Sequence, residues 1–252
     1  LPDGPVRAIW HMDGRCFAVG ASRFYEVLAT QTAIEWGQVE MDRYPATICS
    51  NGTAGYQLFV TSGGHGYIFN TQTNAFAEIA DTDFPTPVRM GGFVDGYFVA
   101  LKAHSRQFWY SDLEDGTSWN GLDVSEMSQS GDNLQAMAIS HRELWLFGSQ
   151  TINVWRNVGD ANNPFEPIAG APIEHGIVAP FSVVTFDNTL YWLGADTTGE
   201  GVVWKANGYT PERVSSHAVE YWLGKAGRNE DALAFAYLEE GQLYYVLNVP
   251  TS

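Results

Sequence analysis

The 252-residue chain carries 29 acidic residues against 13 Lys and Arg, and its formal charge of −16 argues against a surface that grips nucleic-acid phosphates. Aromatic residues make up 14% of the chain and 26 residues are Gly, a composition typical of short strands joined by tight turns. No apolar run is long enough for a membrane-spanning helix. The sequence begins at Leu1 without a Met, and we expect it to be a trimmed piece of a longer protein.

Strong apolar strand patterns recur along the chain at intervals of 40 to 53 residues, the period expected of propeller blades. These six strands are Cys16–Val19, Leu58–Val60, Phe98–Leu101, Leu144–Phe147, Leu190–Leu193 and Leu243–Val246. A weaker apolar run precedes each of them, a further strand, often aromatic, follows the first five, and the early units end with a fourth strand, as at Ile34–Val39 and Phe76–Ile79.

This pattern predicts an all-β protein, a β-propeller of about six four-stranded blades. Five blades are whole, and the last is incomplete because the chain ends after its second strand. A β-sandwich with long loops is the alternative, but a sandwich shows turns every eight to twelve residues and no unit of about 45. We expect residues 1–252 to form a single propeller domain with a short helical insertion at about 216–224. Ala218, Tyr221 and Trp222 have helical spacing there, and Gly224 is a possible C-cap.

The motifs that carry common chemistries do not occur. None of the six histidines forms a zinc-type pair with another His or a Cys, and no nucleophile elbow or phosphate-binding lysine loop is present. Gly63–Gly66 joins two strands and is predicted to be a hairpin turn. Cys16 and Cys49 lie in or beside apolar strands, where a free Cys acts as a small hydrophobe. The sequence therefore predicts no enzyme, no cofactor and no metal.

The segment from Asp112 to Trp119 resembles the Asp-box hairpin of sialidases and other propellers. Asp112 stands at the position of the small polar residue, Glu114 at that of the acid, and Gly116 and Trp119 at those of the Gly and Trp. The Asp box is a folding device in which the carboxylate caps backbone N–H groups and the Trp packs into the blade. Its place after a third strand agrees with the repeat.

A glycan-hydrolysing propeller is an alternative that requires two carboxylates facing each other across a pocket. Acids at predicted strand ends that could serve are Asp13, Asp95, Glu143, Asp187 and Glu220. With 29 acidic residues some pairing is expected by chance, and the arginine motif of sialidases is not found. A carbohydrate-binding propeller on a phage or bacterial surface also stays open.

Four stretches carry a resemblance to a known family, and they are Tyr110–Gly116, Glu143–Ile152, Ala171–Ile177 and Leu190–Gly194. In this order they resemble the packaged-DNA stabilisation proteins of short-tailed phages, also called tail accessory or head-completion plug proteins. The resemblance covers most of the chain. It implies a non-enzymatic virion protein that plugs the portal channel and stabilises packaged DNA through protein–protein contacts.

The resemblance also implies partners and a location. Such proteins form a ring below the portal–adaptor ring, receive the tail needle and neighbour the tailspikes, at the portal vertex of a virion assembled in the bacterial cytoplasm. Neither sequence-specific nucleic-acid binding nor membrane binding is expected. Long insertions are the expected contact regions, Asn157–Ile168 with Phe165 and Ser216–Asn229 with Trp222, because aromatic side chains dominate interfaces. Packing of each loop onto its own domain is the alternative.

Overall fold

A computed structural model describes residues 4–127, 131–170, 173–195 and 201–250. The chain divides into two compact units, Leu1–Glu126 and Met127–Ser252. Each unit is built from successive antiparallel sheets in which the strands follow chain order. The prediction of a single domain over residues 1–252 stays a prediction.

The N-terminal unit contains three four-stranded sheets. The first sheet is β1 (Val6–Met12), β2 (Arg15–Gly20), β3 (Arg23–Val27) and β4 (Ala33–Gln38). The second sheet is β5 (Thr47–Ser50), β6 (Gln57–Ser62), β7 (His65–Asn70) and β8 (Ala75–Glu78). The third sheet is β9 (Val88–Val94), β10 (Tyr97–Lys102), β11 (Gln107–Asp112) and β12 (Asp115–Glu126).

The C-terminal unit contains two four-stranded sheets and a two-stranded one. The fourth sheet is β13 (Leu134–Ser140), β14 (Glu143–Gly148), β15 (Ile152–Asn157) and β16 (Phe165–Pro167). A 3-10 turn (Pro180–Ser182) precedes the fifth sheet, β17 (Val184–Phe186), β18 (Thr189–Ala195), β19 (Gly201–Asn207) and β20 (Thr210–Arg213). Helix α1 (His217–Lys225) then leads to the last sheet, β21 (Leu233–Glu239) and β22 (Gln242–Asn248).

The all-β fold and its repeat are confirmed, with five four-stranded sheets followed by a pair of strands. The second strand of each four-stranded sheet is apolar at successive positions because both faces of the sheet are packed. Phe98, Val99, Ala100 and Leu101 of β10 are all fully buried. The fourth strands lie at an edge and are more polar, as in β8, which has no buried residue.

Aromatic side chains form the core between neighbouring sheets of the N-terminal unit. Between the first two sheets, the Phe69 ring lies 5.3 Å from both Phe17 and Phe24, measured between ring centroids. Between the second and third sheets, Phe59 lies 5.7 Å from Phe98. Rings at these separations pack in offset or edge-to-face contacts, which fix the spacing of successive sheets.

Helix α1 lies where a short helix was predicted, but it continues through Gly224 and its C-cap is Ala226. The Leu223 side chain is fully buried in a cluster with Leu193, Val203 and Val249. The only other buried residue of the helix is Glu220. The helix is therefore attached to the C-terminal unit along one narrow side, and the rest of its surface is exposed.

Candidate functional site

The hairpin turn between β11 and β12 places Trp119 in the core. Its indole Nε1 donates to the Gly116 carbonyl oxygen at 2.8 Å, and its ring lies 5.0 Å from Phe84 and 6.0 Å from Phe59. A Cβ atom on Gly116 would lie 2.6 Å from Ile68 Cδ1, a distance that real contacts do not show. A larger residue at position 116 would therefore have to displace the side chains of Ile68 and of Phe98, whose Cδ2 would lie 2.9 Å from the added Cβ.

The carboxylate that caps this turn belongs to Asp115, not to Glu114. Asp115 Oδ1 accepts from the Thr117 backbone N–H at 2.9 Å and from Gln57 Nε2 at 3.1 Å, whereas Glu114 is exposed. Burial acts to raise the pKa of Asp115, but the hydrogen bonds from Thr117 and Gln57 lower it below its usual value. The motif places the capping acid one residue too early, at Glu114. In the structure Asp112 pairs with Asp115, so Leu113 and Glu114 form the tip of the hairpin. Asp112 is exposed and accepts from the Ser118 hydroxyl at 2.6 Å.

A second carboxylate that sequence analysis missed also supports this turn. Asp81, in the segment between β8 and β9, accepts from the Trp119 backbone N–H at 3.0 Å through Oδ2. The pKa of Asp81 is lowered by hydrogen bonds from the backbone of Trp119 and then Asp83. No local motif predicts this contact because its two residues are 38 positions apart.

The Phe165 side chain, which the sequence predicted as a partner contact, is fully buried in its own unit, as the alternative of packing onto its own domain has it. Phe165 begins β16 and pairs with Asn157 of β15. The preceding loop is closed by its own side chains, because Asp160 Oδ1 accepts from the backbone N–H groups of Asn162 and Asn163 at 2.8 and 3.0 Å. The 157–168 segment thus completes its own sheet.

Helix α1 presents an aromatic surface. Tyr221 is 65% exposed, Trp222 50% and Val219 42%. The Lys225 ammonium nitrogen lies 4.5 Å from the centroid of the Tyr221 ring, a cation–π distance. The buried side of the helix is held by the Glu220 carboxylate, which accepts from Arg213 Nε at 2.6 Å and from the Ser215 hydroxyl at 2.7 Å. Trp222 is therefore a candidate contact on a fixed, exposed helix.

A crevice of about 300 Å³ lies between the fourth and fifth sheets. Its lining includes Glu143, Trp145 and Tyr209, and the Tyr209 hydroxyl donates to Glu143 Oε1 at 2.5 Å. This hydrogen bond, followed by burial, raises the pKa of Tyr209. His141 and Asn188 also line the crevice, and His141 Nε2 lies 3.0 Å from Asn188 Oδ1. The Glu143–Tyr209 pair joins positions 66 residues apart, so no sequence spacing reveals it.

The other acids considered for hydrolysis do not join Glu143 in this crevice. Asp13, Asp95 and Asp187 adopt positive φ angles of 52°, 49° and 48° at hairpin turns, and Glu220 is paired with Arg213. Within the described ranges no group of three His, Cys, Asp or Glu side chains is placed to hold a metal ion. No helix in the described part of the chain is long and apolar enough to cross a membrane.

A protein-family model described as "Bacteriophage P22 Gp10, beta-propeller" matches residues 2–251. The chain belongs to this family. It is thus a β-propeller phage protein of the packaged-DNA stabilisation type, as the resemblance in Tyr110–Gly116 and the later stretches implied. One of these stretches includes Ala171 and Pro172, which lie outside the described residues. A search of curated proteins finds no match.

Solved structures with a similar fold come from proteins of other kinds. Virginiamycin B lyase from Staphylococcus aureus matches with a TM-score of 0.55 and 11% identity, over 86% of this chain and 72% of the lyase. PorZ, a surface component of the type-IX secretion system of Porphyromonas gingivalis, matches with a TM-score of 0.55 and 10% identity. That match covers 98% of this chain and 33% of PorZ. At these identities the likeness shows the fold alone.

Proposed function

We propose that this phage family member is a non-enzymatic tail or head-completion protein that plugs the portal channel at the portal vertex. It stabilises packaged DNA through contacts with other proteins, namely the portal–adaptor ring, the tail needle and the tailspikes, and it assembles as a ring. Membership of the phage family supports the virion role. The observation that carries the protein–protein part is the exposed aromatic surface of helix α1.

The geometry of α1 suits a docking surface. Exposed aromatic residues on a rigid element supply large contact area at low entropic cost, and Trp and Tyr are the residues that most often dominate binding energy. Trp222 and Tyr221 are half or more exposed, although the helix that carries them is anchored by the buried Leu223 and Glu220. Exposing two large aromatic rings on a fixed helix costs solubility unless another protein covers them.

Co-sedimentation with the purified portal–adaptor assembly of the same phage tests the role. We expect stoichiometric addition, visible as an extra ring by negative-stain microscopy. The Trp222→Ala variant tests the contact, and Tyr56→Ser is the matched control because Tyr56 is 40% exposed in the N-terminal unit. A protein that does not co-sediment with the portal–adaptor assembly would contradict the plug role. Deletion of 157–168 is unsuitable as a test because it removes β16.

Saccharide binding in the Tyr209 crevice is a second candidate function. Tyr209 is 41% exposed and lies beside the Glu143 carboxylate, so a sugar ring could stack on the phenol while its hydroxyls bond to Glu143, His141 and Asn188. Among the described residues that line the crevice, Glu143 is the one carboxylate, which favours binding over two-carboxylate hydrolysis. A glycan array tests it, with Tyr209→Ala expected to abolish any binding found.

A further inference from the structure

We propose that Asn120, in strand β12, is a site of spontaneous side-chain deamidation, a modification that turns its amide into a carboxylate. The reaction needs no enzyme and no partner, so it stands apart from the proposed function. Three Asn residues of the sequence are followed by Gly, and they are Asn51, Asn120 and Asn207. An Asn before Gly is labile because Gly has no side chain to hinder attack by its own backbone nitrogen. The fold distinguishes Asn120 from the other two.

Asn120 lies on an exposed bulge of β12. The register between β11 and β12 is irregular here, and residues 120–123 fall between the paired positions Trp119 and Val124. Both Asn120 and Gly121 are exposed. The backbone of a bulge is less constrained than the paired ladder on either side of it. The Asn120 side chain can therefore approach the backbone that follows it.

The side-chain carbonyl of Asn120 is prepared for nucleophilic attack. Its Oδ1 accepts a hydrogen bond from the Leu122 backbone N–H at 3.0 Å. When the Gly121 nitrogen adds to Asn120 Cγ, negative charge develops on this oxygen, and the same N–H is in place to stabilise it. Because the donor is already bound to the oxygen, no reorganisation is needed during the reaction.

A carboxylate lies beside the attacking residue. The three atoms nearest to a Cβ added at Gly121 all belong to Asp83, whose Oδ1 would lie 3.2 Å from that Cβ. Asp81 holds Asp83 there, since it accepts from the Asp83 backbone N–H at 2.9 Å through Oδ1 and from the Trp119 backbone N–H at 3.0 Å through Oδ2. The exposed Asp83 carboxylate can therefore accept the Gly121 amide proton by way of a water molecule.

The reaction is an intramolecular displacement followed by hydrolysis. The Gly121 nitrogen forms a bond to Asn120 Cγ, and its proton passes through water and Asp83 to the side-chain amide nitrogen. The bond between Cγ and that nitrogen breaks, ammonia leaves, and a cyclic succinimide remains. Water then opens the ring at one of its two carbonyl carbons. The product at position 120 is aspartate or isoaspartate, in which the backbone runs through Cγ.

The amide of Asn51 is protected from the same reaction. Asn51 is 9% exposed, and its Nδ2 donates to the Glu114 carbonyl oxygen at 3.0 Å while its Oδ1 accepts from the Gln57 backbone N–H at 2.9 Å. A Cβ added to Gly55 would lie 2.1 Å from Asn51 Cγ, so this side chain is closely enclosed. It has no room to turn towards the backbone that follows it.

Asn207 is exposed but lacks a neighbouring carboxylate. It lies in the hairpin between β19 and β20, where it pairs with Thr210. Apart from neighbours in sequence, no atom of the described chain lies within 4 Å of a Cβ added to Gly208. Asn207 therefore serves as an internal standard for an exposed Asn–Gly pair without the groups that surround Asn120.

Deamidation of Asn120 adds charge to a surface that is already acidic. Asp83 lies beside Gly121, and burial followed by the charge of Asp112 raises the pKa of Asp123. A new carboxylate among these groups increases their mutual repulsion. The modification therefore concentrates negative charge on this bulge of the N-terminal unit.

Peptide mapping by mass spectrometry tests the proposal on the wild-type chain. The folded protein and the chain unfolded in guanidinium chloride are incubated at pH 8, and conversion of amide to acid is followed at the three sites. In the folded protein we expect Asn120 to react at least about tenfold faster than Asn207, with Asn51 slowest. In the unfolded chain the three rates should converge, because the fold no longer distinguishes the sites. Equal rates at Asn120 and Asn207 in the folded protein would overturn the proposal, as would the same order of rates in the unfolded chain.

Two variants test the part played by Asp83. Asp83→Asn removes the carboxylate beside Gly121 with little change in shape, and it should slow the reaction at Asn120 by about tenfold. Asp123→Asn is the matched control, since it removes another acid of the bulge and should not slow the reaction. Continued protection of Asn51 reports that the N-terminal unit of each variant is folded. An unchanged rate in Asp83→Asn, or an equal loss in Asp123→Asn, would overturn the assignment of Asp83.

Discussion

Arg213 forms a two-fold hydrogen bond with the carboxylate of Glu220, a residue that is only 3% exposed. Arg213 Nε donates to Glu220 Oε1 at 2.6 Å, and Arg213 Nη2 donates to Oε2. The Ser215 hydroxyl adds a third hydrogen bond at 2.7 Å. These groups, Arg213 first, lower the pKa of Glu220 to about 2, from 4.5 in an unfolded chain. One buried charge pair therefore attaches the exposed helix α1 to the strand that precedes it.

Glu220→Gln is expected to lower the free energy of unfolding of the C-terminal unit at neutral pH by about 1–2 kcal/mol. This loss is smaller than the pKa shift alone would give, because water screens the charge of the half-exposed Arg213. Because the folded pKa is lowered, the stabilisation is fully present above pH 4.5 and is lost as the pH falls towards 2. Urea unfolding of both proteins between pH 7 and pH 2.5 should show the difference shrinking across this window. Glu230→Gln is the matched control, since the Arg228–Glu230 pair is exposed. A difference that is constant with pH would contradict the assignment.

The turn between β11 and β12 offers a comparison of two adjacent acids. Asp115→Ala removes the acceptor of the Thr117 N–H and of the Gln57 amide, and we expect it to lower the free energy of unfolding by about 1–3 kcal/mol. Glu114→Ala removes an exposed side chain and should change it by less than about 0.5 kcal/mol. Chemical denaturation of the two variants decides which residue caps the turn. Equal effects would contradict the structural assignment to Asp115.

The repeat could be predicted from sequence because each blade needs the same buried second strand. Runs such as Phe98–Leu101 and Leu190–Leu193 are apolar at successive positions, and their period is visible without any knowledge of contacts. The same period predicted that the last sheet has two strands, because Leu243–Val246 is the last apolar run and corresponds to a second strand.

The details of the candidate sites could not be predicted in the same way. Asp81 and Trp119, or Glu143 and Tyr209, meet only because the fold brings distant turns together. The capping acid of the turn was misplaced by one residue, because a sequence motif does not show which residue occupies the hairpin tip. Burial of Phe165 was also missed, since a three-residue strand inside a Gly- and Asn-rich loop has too little periodicity to detect.

Phe165 and Trp222, the two aromatic residues that the sequence predicts as partner contacts, should respond differently to truncation. Phe165 is fully buried, so Phe165→Ala is expected to lower the free energy of unfolding by about 3–5 kcal/mol. Trp222 is 50% exposed, so Trp222→Ala should change the free energy of unfolding by less than about 1 kcal/mol. The same variant should bind more weakly to the portal–adaptor assembly. Thermal unfolding and sedimentation of both variants separate the two roles. A large loss of stability in Trp222→Ala would assign it to the packing of its own unit.

The two cysteines should differ in reactivity. Burial raises the pKa of the Cys49 thiol, which is 8% exposed between the second and third sheets, whereas Cys16 is partly exposed. Because the thiolate is the reactive form, iodoacetamide at pH 8 should modify Cys16 first and Cys49 only when the N-terminal unit opens. Mass spectrometry of the native protein over time follows both sites, and a Cys16→Ser variant isolates the slow one. Increasing urea should accelerate Cys49 labelling in step with unfolding of that unit. Labelling of Cys49 at the rate of Cys16 in the native protein would mean that the contact between these sheets opens readily.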